Sequence, residues 1–314
     1  MLAINKILFP TDFSECAEHA FSHAAELAAF FDAEVHVFHT RVRPLSYYPA
    51  LKHLLDEAEK QNKLEMLDTD EQVIKAPVGD QVIVISAERT GQAAYEEIIS
   101  YSKEHEIDLI VMGTHGHRGP KRLFIGSTAE RVVRLSSCPV LTLRSDAATV
   151  NPLNLKHILV PVDFSDFSMD AIKYASELAK SWNAQITLLN VIEEAVLPTV
   201  YGVEPTSVFH ADHLFKESTK MIENLKSKSL GDYEKVEAKV IIGHAAFSIT
   251  EYANENDVDL IVIPTHGLTG LKRFLMGSVA EHVVRNAQCA VLTVKPYGKS
   301  LLNGNKLALE PESA

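Results

Sequence analysis

Gly113-Thr-His-Gly116, nine residues and then Gly126-Ser127 return 151 positions later as Pro264-Thr-His-Gly267, nine residues and Gly277-Ser278. The same offset lays Ile7-Leu-Phe-Pro-Thr-Asp-Phe-Ser14 over Ile158-Leu-Val-Pro-Val-Asp-Phe-Ser165. Between 108–142 and 259–293, 21 of 35 aligned positions are identical, too many for two unrelated loops to have converged. The chain therefore reads as two homologous domains. Each copy carries a glycine-spaced loop able to approach phosphates.

Around the loops, each half alternates short β-branched runs with helical stretches, the pattern of a parallel sheet covered by helices on both faces. In the first half, strands are expected at Ile7–Phe9, Glu34–His39, Val82–Ser86, Leu109–Met112 and Val140–Leu143. Helices are expected at Ser14–Phe31, Ala50–Leu67, around Gln92–His105 and at Ser127–Leu135. Ala17, Phe21, Ala24 and Ala28 form one apolar stripe, as do Ala129, Val132 and Val133. The second half repeats the order, with strands at Ile158–Val160, Ile186–Asn190, Val236–Ile242, Leu260–Ile263 and Val291–Val294. The expected fold is α/β, two tandem open five-stranded parallel-sheet domains over 1–144 and 156–297. A polar linker at 145–155, with Pro152 unable to donate to a sheet, separates them. A loose tail is expected at 298–314. The final strands of the two halves look apolar enough to pair or pack across domains.

At 314 residues with 46% hydrophobic and 23% charged residues, the chain can bury two cores. Its formal net charge of −12, with no Lys/Arg stripe to offset it, opposes nucleic acid. No stretch approaches the roughly 20 apolar residues that span a bilayer, and Met1-Leu-Ala-Ile-Asn-Lys6 lacks a secretory core, so a cytoplasmic protein without membrane or nucleic-acid partners is expected. Cys16, Cys138 and Cys289 offer neither a disulfide framework nor a C-x-x-C zinc knuckle and read as buried thiols. His210 and His213, three residues apart, have no identifiable third ligand, and no metal site is assigned.

A strand ending at Gly113 and a helix opening at Gly126-Ser127 put the loop at the carboxyl edge of a parallel sheet, where such folds bind ligands. Free N–H groups and the dipole at a helix start favour phosphate, glycine lets a ligand approach, and Ser127 adds a hydroxyl. Glycines also serve tight turns and close packing, so one loop alone leaves a structural role open. Neither a Walker A sequence nor G-x-G-x-x-G occurs.

Pro10-Thr-Asp-Phe-Ser14, Asp108-Leu-Ile-Val-Met-Gly-Thr-His-Gly116 and Gly126-Ser-Thr-Ala-Glu-Arg-Val-Val-Arg134 together resemble the universal stress protein family. The resemblance covers nearly the whole chain as a tandem pair. It implies Rossmann-like domains of the adenine nucleotide alpha hydrolase type that bind ATP, with the tandem copies forming an internal pseudo-dimer. Carried over, Thr11 and Asp12 contact the nucleoside, and Thr40 meets adenine through its backbone. Gly113, Gly116, Gly126, Ser127 and Thr128 surround the phosphates, with His115 and Arg118 beside them. Asp12 could equally serve as a turn or cap residue, and His115 and Arg118 as solvated loop side chains. The second-half counterparts are Asp163, Val191, Gly267, Gly277, Ser278 and Val279.

Pro264 replaces the first glycine of the second loop, removing an N–H, fixing φ and placing a ring where a ligand would approach. Weak or absent nucleotide binding is expected there. Arg118 is matched by Thr269, whereas Lys121-Arg122 recurs as Lys272-Arg273. No residue set beyond the loop looks equipped to activate water: Asp12 is needed at the nucleoside, and Glu130 lies a turn inside its helix. The expected function is a stress-response or regulatory protein binding ATP, ADP or AMP in its first half, with little or slow hydrolysis and with Mg at the phosphates left open. A nucleotide-dependent ATPase or transferase using His115 or Arg118, and a ligand-free interaction protein, remain the alternatives. Homodimerisation is not legible in the sequence.

Overall fold

Ser14 and Ser165 set where the first helix of each half begins. Ser14 accepts from the Ala17 N–H at 3.2 Å and Ser165 from the Ser168 N–H at 3.3 Å, the side-chain N-cap that satisfies an orphan donor of the first turn. Both helices end on a left-handed residue, Asp32 with φ 54 and Asn183 with φ 56. Every non-glycine residue with positive φ among those described has such a counterpart 151 positions away, since Phe13 matches Phe164 and Glu106 matches Asp257. The computed structural model describes residues 2–40, 65–67, 73–78, 82–114, 125–144, 155–193, 206–231, 233–267, 276–295 and 298–302.

In chain order the first half comprises β1 (Lys6–Thr11), α1 (Glu15–Phe31), β2 (Glu34–Thr40), β3 (Glu65–Leu67), β4 (Val73–Val78), β5 (Val82–Arg89), α2 (Ala94–Glu104), β6 (Leu109–Gly113), α3 (Ser127–Leu135) and β7 (Val140–Leu143). The second comprises β8 (His157–Pro161), α4 (Asp166–Trp182), β9 (Gln185–Glu193), α5 (Thr206–Leu230), β10 (Val236–Gly243), α6 (Ala245–Glu255), β11 (Leu260–Pro264), α7 (Ser278–Asn286) and β12 (Ala290–Val294). All strands lie in one twelve-stranded sheet ordered β10-β9-β8-β11-β12-β7-β6-β1-β2-β5-β4-β3. Within each half the five expected strands run parallel.

Two differences from the expected elements lie at the margins. Glu65–Leu67, the end of the helix expected over Ala50–Leu67, is instead a strand that pairs antiparallel with β4, which itself pairs antiparallel with β5. The rest of that expected helix, and the linker at 145–154, fall outside the described residues. The start of the expected loose tail is docked: Leu301 is 1% exposed, its carbonyl accepts from the Ala3 N–H at 2.7 Å, and its N–H donates to the Tyr174 hydroxyl at 2.8 Å. Leu302 forms an antiparallel bridge with Leu2.

The alternating strand residues bury both sheet faces. Ile7, Phe9, Val35 and Val111 face α1, α4 and α5, whereas Leu8, Phe38, Ile110 and Met112 face α2, α3, α6 and α7. Both cores run through the two halves, because β7 and β12 pair antiparallel across the seam with Leu141 opposite Leu292. Thr142 Oγ1 donates to the Val291 carbonyl at 3.2 Å and Thr293 Oγ1 to the Val140 carbonyl at 3.1 Å. These equivalent bonds give the seam an approximate two-fold character.

Lys295 follows β12 and is buried, its Nζ donating to the Val133 carbonyl of α3. Burial lowers its pKa from 10.5 to about 7, the nearby Cys138 opposing the shift. Between those values the unfolded chain binds the proton more readily, so stability rises with pH from about 7 to 10.5, and below 7 the whole cost of the buried ammonium stays. Lys295→Met is expected to raise stability on the order of 1–4 kcal/mol at pH 7. It should also flatten the stability-versus-pH slope above neutrality, as urea melts at neutral and alkaline pH will reveal.

Candidate functional site: the carboxyl edge of the sheet

From β1 the chain first builds outward through β2 and β5, then crosses back to place β6 on the other side of β1. The crevice outside the carboxyl ends of β1 and β6 is therefore the topological switch point of the first half, the place where open α/β sheets take ligands. Thr11 ends β1, Gly113 ends β6, and Thr40 ends the adjoining β2. Gly126, Ser127 and Thr128 open α3, whose approach to the edge is fixed by the Gly126 N–H bonding the Thr114 carbonyl at 2.7 Å. Thr114 N in turn bonds the Leu143 carbonyl at 2.8 Å. The fold thus brings these predicted residues to one edge. His115, Gly116 and Arg118 lie outside the described residues.

Gly126 has no side chain to cap α3, so no side-chain cap bond covers its first N–H groups, and Ser127 is exposed. Such a helix start favours an anion through oriented donors and the dipole. Gly113 has a packing reason of its own: a Cβ there would lie 2.7 Å from Cys16 Sγ and 3.2 Å from the Cys16 carbonyl. Its smallness lets the start of α1 close on β6, independently of any ligand.

The turn after β1 is built the same way in both halves. Phe13 holds φ 62, with its N–H on Thr11 Oγ1 at 3.0 Å, and Asp12 Oδ1 accepts from the Ser14 N–H at 3.1 Å. A bulky residue in the left-handed region costs on the order of 1–3 kcal/mol, and such strain clusters at functional sites. Asp12 therefore does bond the turn locally, while its side chain stays exposed. The turn is clamped from β2, where His39 Nδ1 donates to the Thr11 carbonyl at 2.8 Å and the His39 ring lies tilted at 48° to that of Phe13 with centroids 4.4 Å apart. In the second half the Asn190 amide donates to the Val162 carbonyl at the same 2.8 Å. Sequence reasoning missed this clamp; the signal available was a hydrogen-bonding residue one position before the predicted adenine contact in each copy.

At the second edge the backbone follows the same path, with Thr265 N on the Val294 carbonyl at 3.1 Å and Gly277 N on the Thr265 carbonyl at 2.8 Å. Pro264 closes β11 as a buried residue, and Val191 lies inside β9. Asp163, however, is held by its own chain: Oδ1 accepts from the Ser165 N–H at 3.0 Å and hydroxyl at 2.5 Å, and a Cβ on Gly267 would meet Oδ2 at 2.6 Å. His266 is buried, bonds Thr265 Oγ1 at 3.0 Å and meets the Phe167 ring edge-on at 6.3 Å. Phe167 stands where the first half has Cys16. Gly277, Ser278 and Val279 open α7.

All three cysteines are buried and free of disulfides. Burial pushes the Cys138 thiol up and that of Cys289 up to about 12, so neither is a nucleophile. Among the described residues no cluster of three His, Cys, Asp or Glu could hold a metal, and no helix is long and apolar enough to cross a membrane.

The model of the Universal stress protein family matches residues 3–144 and again 154–295. Universal stress protein MJ0531 of Methanocaldococcus jannaschii is 36% identical over 141 residues, 45% of this chain and 82% of that protein. A universal stress protein of Mycolicibacterium smegmatis aligns over 300 residues at 23% identity, covering 92% of this chain and 97% of its own. Among solved structures, the functionally unknown PA1789 from Pseudomonas aeruginosa PAO1 shares the fold with a TM-score of 0.66 at 19% identity, covering 94% of this chain and 93% of that one.

Proposed function

Since the chain belongs to the universal stress protein family through both halves, we propose that it is a regulatory adenine-nucleotide-binding protein that takes one ATP, in its first half. The observation that carries this reading is the meeting of β1, β6 and the uncapped start of α3 at the switch point. Thr11 and Asp12 hold the ribose, the Thr40 backbone meets the adenine, and Gly126, Ser127 and Thr128 offer donors to the phosphates. Gly113 ends β6 at that edge, and the sequence assigns His115, Gly116 and Arg118 to the same loop. Mg accompanies the phosphates. Bound nucleotide supplies the signal; the chain supplies recognition, with little turnover. The two halves act as an internal pseudo-dimer through β7 and β12, in the cytoplasm.

The second half serves as the fixed partner. Pro264 offers no N–H, Asp163 lies close against Gly267, and His266 is buried on Thr265 and Phe167. Losing one donor at a phosphate costs about 1–3 kcal/mol before any clash. A paired substitution tests the assignment. Asp12→Ala is expected to weaken ATP binding tenfold or more in calorimetric titration of the full chain, and Asp163→Ala by less than twofold. Equal effects, or none from Asp12→Ala, would overturn it.

A further inference from the structure

His19 and His23 stand one turn apart on one face of α1, the i, i+4 spacing that lets side chains meet. Their Nε2 atoms are 3.4 Å apart, with the rings perpendicular at 89° and their centroids separated by 4.9 Å. That separation exceeds the usual range of about 2.7–3.2 Å for a nitrogen-donated hydrogen bond. It matches the separation of about 3.3–3.4 Å between two nitrogens each about 2.0–2.1 Å from one tetrahedral cation.

We propose that His19 and His23 form a two-histidine site for a borderline-soft divalent cation, Zn2+ or Cu2+, separate from the nucleotide loop. Imidazole nitrogens select such ions over Mg2+ or Ca2+, which take oxygen. The buried His23 Nδ1 has no hydrogen-bond partner, and Nε2 is the ring atom that faces His19. His19 is only half-buried and gives the ion a way in. With no third protein ligand converging among the described residues, water completes the coordination shell.

The second half has lost the pair. Asp170 and Tyr174 occupy the equivalent positions, Asp170 paired with Lys173 at 2.8 Å and Tyr174 bonded to Ser300 at 3.2 Å and to the Leu301 N–H. The pair is therefore a feature of the first half.

The test is competitive Zn2+ titration of the nucleotide-free full chain against a chelator, together with Cu2+ electron paramagnetic resonance. The expected result is one tight Zn2+ per chain and a Cu2+ signal coupled to two imidazole nitrogens. His19→Gln and His23→Gln should each weaken Zn2+ at least tenfold, while His213→Gln, at an exposed position of α5, stays within twofold of wild type. Because His23 is buried, metal-free thermal melts accompany its variant, and the half-buried His19→Gln decides the matter alone. Unchanged Zn2+ affinity in His19→Gln, or no site tighter than that of the other histidines, would overturn the proposal.

Discussion

Gly126→Asp is expected to weaken ATP binding about a hundredfold, about 2.7 kcal/mol, while leaving the fold intact. Gly126 is the N-cap of α3 with φ −62 and ψ 141, a conformation open to any residue. Aspartate is among the best N-caps and differs from glycine by only a few tenths of a kcal/mol. Its carboxylate takes the free N–H groups of the first turn for itself and sets a negative charge before the phosphates. Among the described residues, the local strain is a Cβ about 0.1 Å inside ordinary contact, 3.3 Å from the Thr114 carbonyl. Chemical melts should therefore change by less than about 0.5 kcal/mol. Retained affinity would mean that the glycine loop is only a tight turn.

The second large effect is on stability, away from the site. Asp108 Oδ2 accepts from the Asn5 and Lys6 N–H groups at 2.8 and 2.9 Å, and Oδ1 pairs with Lys299 at 2.6 Å. Its carboxylate ties β6 to β1 at the amino edge, opposite the carboxyl edge of the candidate site, and receives the segment at Lys299. Asp108→Ala leaves two part-buried N–H donors without their acceptor and removes the ion pair to Lys299, whose ammonium keeps only the Glu106 carbonyl among the described residues, an expected loss of about 2–4 kcal/mol in urea denaturation. Asp259 holds Lys156 and His157 N–H groups at 2.7 and 2.9 Å in the same way, with no ion pair to it among the described residues. Asp259→Ala should cost less, about 1–3 kcal/mol. Nucleotide affinity measured on folded Asp108→Ala should match wild type, since the residue sits at the wrong edge to touch ligand.

The near-repeat made the tandem α/β fold legible because duplication preserves register, and period and caps then fix each element locally: Ser14, Asp32 and their counterparts behave as their residue types dictate. What escaped depends on distant partners. Glu65–Leu67 is a strand only because β4 lies beside it, and Leu301 is docked only because Ala3 and Tyr174 receive it. At the candidate site, the glycine spacing put the loop at the carboxyl edge, where Gly113 and Gly126 lie, but Gly113 has a packing duty against Cys16 that no spacing reveals. Likewise the hold on Asp163 in the second half comes from Ser165 and the close approach of Gly267, and strengthens an expectation that rested on Pro264 alone. The left-handed Phe13 and the His39 clamp were invisible, since neither residue type signals its geometry.

The most direct measurement is the number of adenine nucleotides held per chain, counted by mass spectrometry after denaturing the protein purified with and without added ATP. One per chain, lost in Gly126→Asp, is the predicted result. Two per chain would contradict the closure of the second half, and none with ATP present would leave the chain without the nucleotide function proposed for it.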